Sequence, residues 1–169
     1  MTTAMLAAAA LTTGQTAGAV TPVGDPGATA WFEGRQIDLA DGWGDAQACH
    51  VDENGTRCYR TEAEMDLAEQ LDESGPMLLA DCASSVRLYD GTSYGTPVVS
   101  LTLRGTYINL SAHSFDNKTS SYKIGACSSS FFDGTTGGAP QYPGATTAGA
   151  SATSMASGWN NRVSSIYIF

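Results

Sequence analysis

One polar hexamer occurs twice in the second half of this chain and constrains its fold more than any other feature. Asp116-Asn117-Lys118-Thr119-Ser120-Ser121 follows the aromatic Phe115, and Asn160-Asn161-Arg162-Val163-Ser164-Ser165 follows Trp159, 44 residues on. A second pair of motifs keeps nearly the same step. Tyr89-Asp90-Gly91-Thr92-Ser93-Tyr94-Gly95 matches Phe132-Asp133-Gly134-Thr135-Thr136-Gly137-Gly138 at an offset of 43. Two features recurring in one order at one spacing mark a duplicated structural unit.

In each copy an aromatic strand enters a Gly-rich turn, a middle section follows, and the hexamer leads into a last strand, Tyr122-Lys123-Ile124 or Ile166-Tyr167-Ile168. In the first unit, Val98 to Leu103 and Tyr107 to Leu110 also have strand composition. Four short strands per unit predict paired Greek keys forming a sandwich. A charged fraction of only 15% and 19 glycines agree with a β-rich, loop-rich chain.

The aromatic, Gly-rich turn followed by N/D-N/D-x-x-S/T-S resembles the βγ-crystallin superfamily in its microbial calcium-binding form. The resemblance covers residues 82–169 and both hexamers fit it completely. The turns depart from it: Thr96 stands where the family has its final glycine, and Gly137 replaces the second aromatic. The fold expected is mainly β, two Greek-key motifs in a βγ-crystallin-like sandwich, preceded by a small α+β acidic segment with one helix.

What the resemblance implies chemically is two calcium ions shared between the repeats. Each takes amide or carboxylate and carbonyl ligands from one hexamer, a hydroxyl from the other, and a carbonyl from a Gly-rich turn. Carried onto this chain, the ligand set is Asn117, Lys118 and Ser120 with Asn161, Arg162 and Ser164, the turns near Asp90 and Asp133, and Asp116 and Asn160 at the first hexamer positions. Calcium takes six to eight oxygens in flexible geometry, and short amide, carboxylate and hydroxyl side chains supply them. Lys118 and Arg162 contribute only backbone carbonyls, so their cationic side chains must point away. Ser121 and Ser165 read as structural, bonding backbone within the loop. Sites this poor in carboxylate imply micromolar or weaker binding, suited to calcium levels outside cells. Polar turns alone also favour Asn, Asp and Ser.

Residues 20–81 differ in character. They hold 14 acidic and 3 basic residues (net −11), against 3 acidic and 5 basic (net +2) in residues 82–169. So acidic a segment argues against nucleic acid and anionic lipid as partners, since phosphate contacts need Lys and Arg. The stretch Trp31 to Leu39 alternates around Gly34 as a small hairpin or two short strands do. Asp52-Glu53-Asn54-Gly55 predicts a turn that places Cys49 opposite Cys58. Thr61-Glu62-Ala63-Glu64 is a capping-box pattern, and Ala63, Leu67, Ala68 and Leu71 form one narrow apolar stripe, predicting a helix over residues 62–73 that packs on the neighbouring hairpin. About 60 residues with one helix make a small core, so this segment is expected to pack against the second half rather than fold alone.

Residues 1–19 resemble a signal peptide, with the small apolar run Ala4 to Leu11 and a cut after Ala19, although no basic residue precedes Arg35. No apolar run approaches the roughly 18 residues of a membrane span. A secreted monomer is the expectation. The four cysteines, Cys49, Cys58, Cys82 and Cys127, then suggest two disulfides. Three connectivities are possible; Cys49–Cys58 with Cys82–Cys127 keeps each bridge within one segment. A zinc site of Cys49, His50, Cys58 and His113 lacks any CxxC or HxxxH spacing.

Gly91-Thr92-Ser93-Tyr94-Gly95 satisfies GxSxG, but that nucleophile motif joins a strand to a helix and here strand sequence follows, so no enzyme is predicted. A second function class is a proteinaceous inhibitor of an extracellular metalloprotease. Secreted crystallin-like domains serve that way, and residues 134–157, long and rich in Gly, Ala and Thr, read either as the exposed segment an inhibitor needs or as a surface connection.

Overall fold

The computed structural model describes residues 29–73 and 84–169, with no side-chain account of residues 71–73. In chain order the elements are β1 (Thr29–Phe32), β2 (Arg35–Asp38), β3 (Ala48–Asp52), β4 (Gly55–Tyr59), α1 (Glu62–Glu73), β5 (Val86–Gly91), β6 (Gly95–Leu101), β7 (Tyr107–Asn109), β8 (Ser121–Lys123), β9 (Ser129–Phe132), β10 (Ser151–Ala152) and β11 (Ser165–Ile168). The fold is mainly β with a single α-helix among the described residues.

Two sheets face each other. One has eight strands in the order β10-β8-β5-β6-β3-β4-β1-β2, the other three in the order β7-β11-β9. The two units exchange a strand each: β7 of the first pairs with β11, and β10 of the second pairs with β8. This reciprocal crossing is the Greek-key connection, and it makes each unit complete the other's sheet. The repeat is less regular than four strands per unit, because the second unit has three. Its missing strand is reduced to a bridge between Phe132 and Gln141.

Period-two alternation sets the faces. From the eight-stranded sheet Cys49, Val51, Val86, Leu88, Val99, Leu101 and Tyr122 point inward to meet Ile108, Leu110, Phe131, Ile166 and Ile168, one continuous buried core. Tyr122, Phe131 and Tyr142 cross at its centre with ring centroids 5.2–5.8 Å apart.

The acidic segment is built into this sheet. The β1–β2 hairpin turns at Glu33-Gly34, and β3 joins β6 in parallel register from Ala48↔Val98 to Val51↔Leu101. Leu39 and Trp43 are buried in the same core; the Trp43 ring stacks on Phe115 at 5.4 Å and its Nε1 donates to the His113 carbonyl at 2.7 Å. Cys49 and Cys58 face each other across the β3–β4 hairpin and are bridged. That bridge removes the zinc alternative, which needs free thiolates at both positions. Cys127 is also disulfide-bonded; Cys82, the partner expected for it, lies outside the described residues, as do residues 1–28 with the expected leader.

The helix follows its predicted span but not its predicted face. Leu67 is 59% exposed and Ala63 is exposed, whereas Met65 is fully buried against Ala48, Tyr89 and Val98. Leu71 lies outside the described side chains. Among the described side chains, α1 meets the outer side of the eight-stranded sheet through Met65 and through ion pairs from Glu62, Asp66 and Glu69 to Arg87, which leaves Ala63 and Leu67 facing outward.

Candidate functional site

The two hexamers lie side by side across a local two-fold relation. Asn117 donates its backbone N–H to the Val163 carbonyl at 3.0 Å, and Asn161 donates to the Thr119 carbonyl at the same distance. Both asparagines have φ of +55°, a left-handed conformation that Asn tolerates better than most residues. Each hexamer is also tied to the turn of its own unit. The Ser120 N–H donates to the Tyr89 carbonyl at 2.7 Å and the Ser164 N–H to the Phe132 carbonyl at 2.8 Å.

Across the two-fold, side chains meet in reciprocal pairs. The Ser120 hydroxyl donates to Asn161 Oδ1 at 2.9 Å, and the Ser164 hydroxyl to Asn117 Oδ1 at 3.4 Å. Ser120 and Ser164 are buried, while Asn117, Asn160 and Asn161 are exposed. One half of the site therefore combines Ser120, Asn161 and the turn bearing Asp90. The other combines Ser164, Asn117 and the turn bearing Asp133.

The first hexamer positions differ. Asp116 accepts a hydrogen bond from Asn117 Nδ2 on Oδ2 at 3.0 Å, while its Oδ1 is buried with no hydrogen-bond partner. Asn160 is the neutral counterpart. The third positions differ too: Arg162 Nε donates to Asp133 Oδ2 at 2.8 Å and its guanidinium lies over the Trp159 ring at 5.2 Å. No such bridge joins Lys118 to Asp90 among the described residues. The expected outward turn of these cationic side chains is not what the second unit shows: Arg162 reaches back to the carboxylate of Asp133, itself in the expected ligand set.

Ser121 and Ser165 pin the turns. Each donates its hydroxyl to a turn glycine carbonyl, Gly91 or Gly134, at 2.6 Å, and accepts from the N–H of Tyr94 or Gly137 at 3.0 Å. Gly91 and Gly134 need to lack a side chain, because a Cβ on either would lie 2.8 Å from the Cα of Gly95 or Gly138. Gly137, where an aromatic was expected, has φ of +78° and leaves its space to the ring of Tyr107. Tyr107 packs edge-on to Phe132 at 5.8 Å, as Tyr94 packs on Tyr89 at 5.4 Å in the first unit. A tyrosine donated by the first unit thus fills the place that Gly137 leaves open.

The donor set suits a hard divalent cation. It offers amide and hydroxyl oxygens in reciprocal pairs and a buried carboxylate oxygen without a hydrogen bond, hard donors of the kind calcium takes. Thiolates and imidazoles are absent from it. The two histidines lie elsewhere: His50 beside Glu69, and His113 with Nδ1 3.3 Å from the Thr56 hydroxyl. Ser93 of the GxSxG match occupies a tight turn between β5 and β6, and its N–H donates to the Thr153 carbonyl at 2.7 Å. That is a strand–turn–strand hairpin, without the helix a nucleophile elbow requires.

Residues 134–157 are held at several points. Tyr142 and Met155 are buried, the Thr146 hydroxyl donates to the Ser129 carbonyl at 2.5 Å, and the Met155 N–H donates to the Ser120 carbonyl at 3.0 Å. The segment thus buttresses the first hexamer.

A second polar cluster escaped the sequence reading. Arg87, pointing outward from β5, makes ion pairs with Glu62, Asp66 and Glu69 of α1 at 2.9, 2.6 and 2.8 Å. Glu69 Oε1 also lies 2.8 Å from His50 Nδ1 and accepts from the Ser100 hydroxyl at 2.6 Å. Burial opposes the Glu69 charge, but the bonds from His50 and Ser100 and the charge of Arg87 outweigh it, holding the carboxyl down at about 2. Burial and then the Glu62 carboxylate, which accepts from its hydroxyl at 2.7 Å, push Tyr89 well above the usual phenol range. Glu62, Asp66 and Glu69 recur at helical spacing, the one signal that could have marked this face as the docked one.

No protein-family model matches the chain, and no curated protein matches it. Among solved structures it is similar to a βγ-crystallin from Ciona intestinalis, at 18% identity and a TM-score of 0.44 over 51% of this chain and 100% of that one. A βγ-crystallin domain from Clostridium beijerinckii is 18% identical, with a TM-score of 0.42 over 51% of this chain and 98% of that one. A third, from Flavobacterium johnsoniae, is 20% identical, with a TM-score of 0.38 over 50% and 92%.

Proposed function

We propose that this protein is a secreted calcium-binding module of βγ-crystallin type in which two calcium ions stabilise the fold. The observation that carries this reading is the reciprocal pairing of Ser120 with Asn161 and Ser164 with Asn117, beside the buried, hydrogen-bond-free Oδ1 of Asp116. A cation there would draw on Asp116, Asn117, Asn160, Asn161, Ser120 and Ser164, on the carbonyls of Lys118 and Arg162, and on the turns at Asp90 and Asp133. Such an ion would act electrostatically, attracting the oxygen dipoles of both hexamers and so holding the two units together. The disulfide between Cys49 and Cys58 suits an oxidising compartment, which supports secretion. No described helix is long and apolar enough to cross a membrane.

Calorimetric titration of calcium into the protein tests this, with thermal unfolding recorded at saturating calcium and in chelator. Two binding events are expected, with stability raised by about 2.7 kcal/mol per site at calcium a hundred times Kd. The double variant Asn117→Ala, Asn161→Ala should lose both heat and shift. A melting temperature indifferent to calcium in the unsubstituted protein would reduce the hexamers to turns.

A further inference from the structure

The two halves of the site differ in which carboxylate remains free to meet a cation. In the half built from Ser120 and Asn161, the turn residue Asp90 has no basic partner among the described residues, and the first hexamer position of that strand is the neutral Asn160. In the half built from Ser164 and Asn117, the turn residue Asp133 is held by Arg162 at 2.8 Å, and the guanidinium is fixed over the Trp159 ring. That half keeps a carboxylate all the same, because Asp116 stands beside Asn117 with Oδ1 buried and without a hydrogen bond. The Ser164–Asn117 contact, at 3.4 Å, is also the looser of the two pairs.

From this we infer that the anionic ligand has changed place between the repeats: Asp90 serves the first half from the turn, whereas Asp116 serves the second from the hexamer. Arg162 sets the affinity of the second half by withholding Asp133. The inference rests on the calcium reading above. A lone guanidinium in the second half would repel a divalent ion; paired with Asp133 it is neutralised, and the pair contributes no net charge. Without Asp116, the second half would offer only dipoles. Neither repeat has both acids free, so neither half gathers the charge of a tight buffer site.

Calcium titration by calorimetry on the full chain and on Asp90→Asn, Asp116→Asn and Arg162→Gln tests the assignment, with near-ultraviolet circular dichroism checking that each variant keeps its packing. Asp116→Asn should weaken one of the two events at least tenfold and spare the other, and Asp90→Asn should do the reverse. Arg162→Gln, which frees Asp133, should strengthen the Asp116-dependent event about tenfold, roughly what one added charge contributes at a partly exposed site. If both acid variants weaken the same event, or Arg162→Gln leaves that event unchanged, the exchange of ligands is wrong although the protein still binds calcium. No heat in the unsubstituted protein would instead sink the calcium reading, and this inference with it.

Discussion

At the residue scale, the repeat is instructive where it breaks. Thr119 and Val163 occupy the same hexamer position and both are fully buried, yet only Thr119 carries a hydroxyl, and its Oγ1 has no hydrogen-bond partner. A buried hydroxyl left unsatisfied costs about 1–3 kcal/mol, so Thr119→Val, which copies the second repeat, is expected to raise stability by about 1 kcal/mol. Urea unfolding at fixed calcium measures it; a loss of stability would mean that the hydroxyl has a role in the loop. The polar positions were legible in the sequence because Asn, Asp and Ser are what left-handed and capped turns require. The ion pair that ties Arg162 to Asp133 was not, since an arginine reaches several neighbours and only the packed turn selects one.

At the element scale, the described part of α1 is docked by an apolar plug and by a set of ion pairs. Met65 is the fully buried side chain among those described in α1, and Glu62, Asp66 and Glu69 converge on Arg87, with Glu69 also meeting His50 and Ser100. Because the folded protein holds the Glu69 carboxyl down at about 2, below the ordinary glutamate value near 4.3, its stabilisation is complete above that ordinary value. It is lost as pH falls toward 2. The helix amides should therefore lose hydrogen-exchange protection between about pH 4.5 and 2, ahead of the core strands. Glu69→Gln should flatten that profile and lower helix protection at pH 7 by on the order of 1–3 kcal/mol. Equal protection of helix and core at every pH would show that Met65 alone holds the helix. The capping signals placed its ends correctly, but hydrophobic periodicity chose the wrong face, because the sheet beneath presents arginine and histidine, and carboxylates are the complement to those.

At the scale of the whole molecule, the acidic first segment and the duplicated second share one sheet through the β3–β6 pairing, and one core through Trp43 against Phe115. Residues 84–169 alone would expose the β6 edge and the ring of Phe115, which precedes the first hexamer. That fragment is expected to lose more than about 3 kcal/mol of stability, from apolar burial given up around Trp43, Val51 and Cys49, and to associate through its bare edge. Comparing its thermal unfolding and sedimentation with the whole chain checks this; a monomer with an unchanged melting temperature would show the segments to be independent. The sequence by itself determined what depends on neighbours in the chain: the strand alternation, the glycine turns, the helix span, the paired hexamers and the Cys49–Cys58 hairpin. Only tertiary structure decided the parallel joining of β3 to β6, the face of α1, the use of Tyr107 in place of an aromatic at position 137, and the partner of Arg162. Each of these is a contact between residues distant in sequence, where many pairings have similar local energies and the whole packed arrangement selects one.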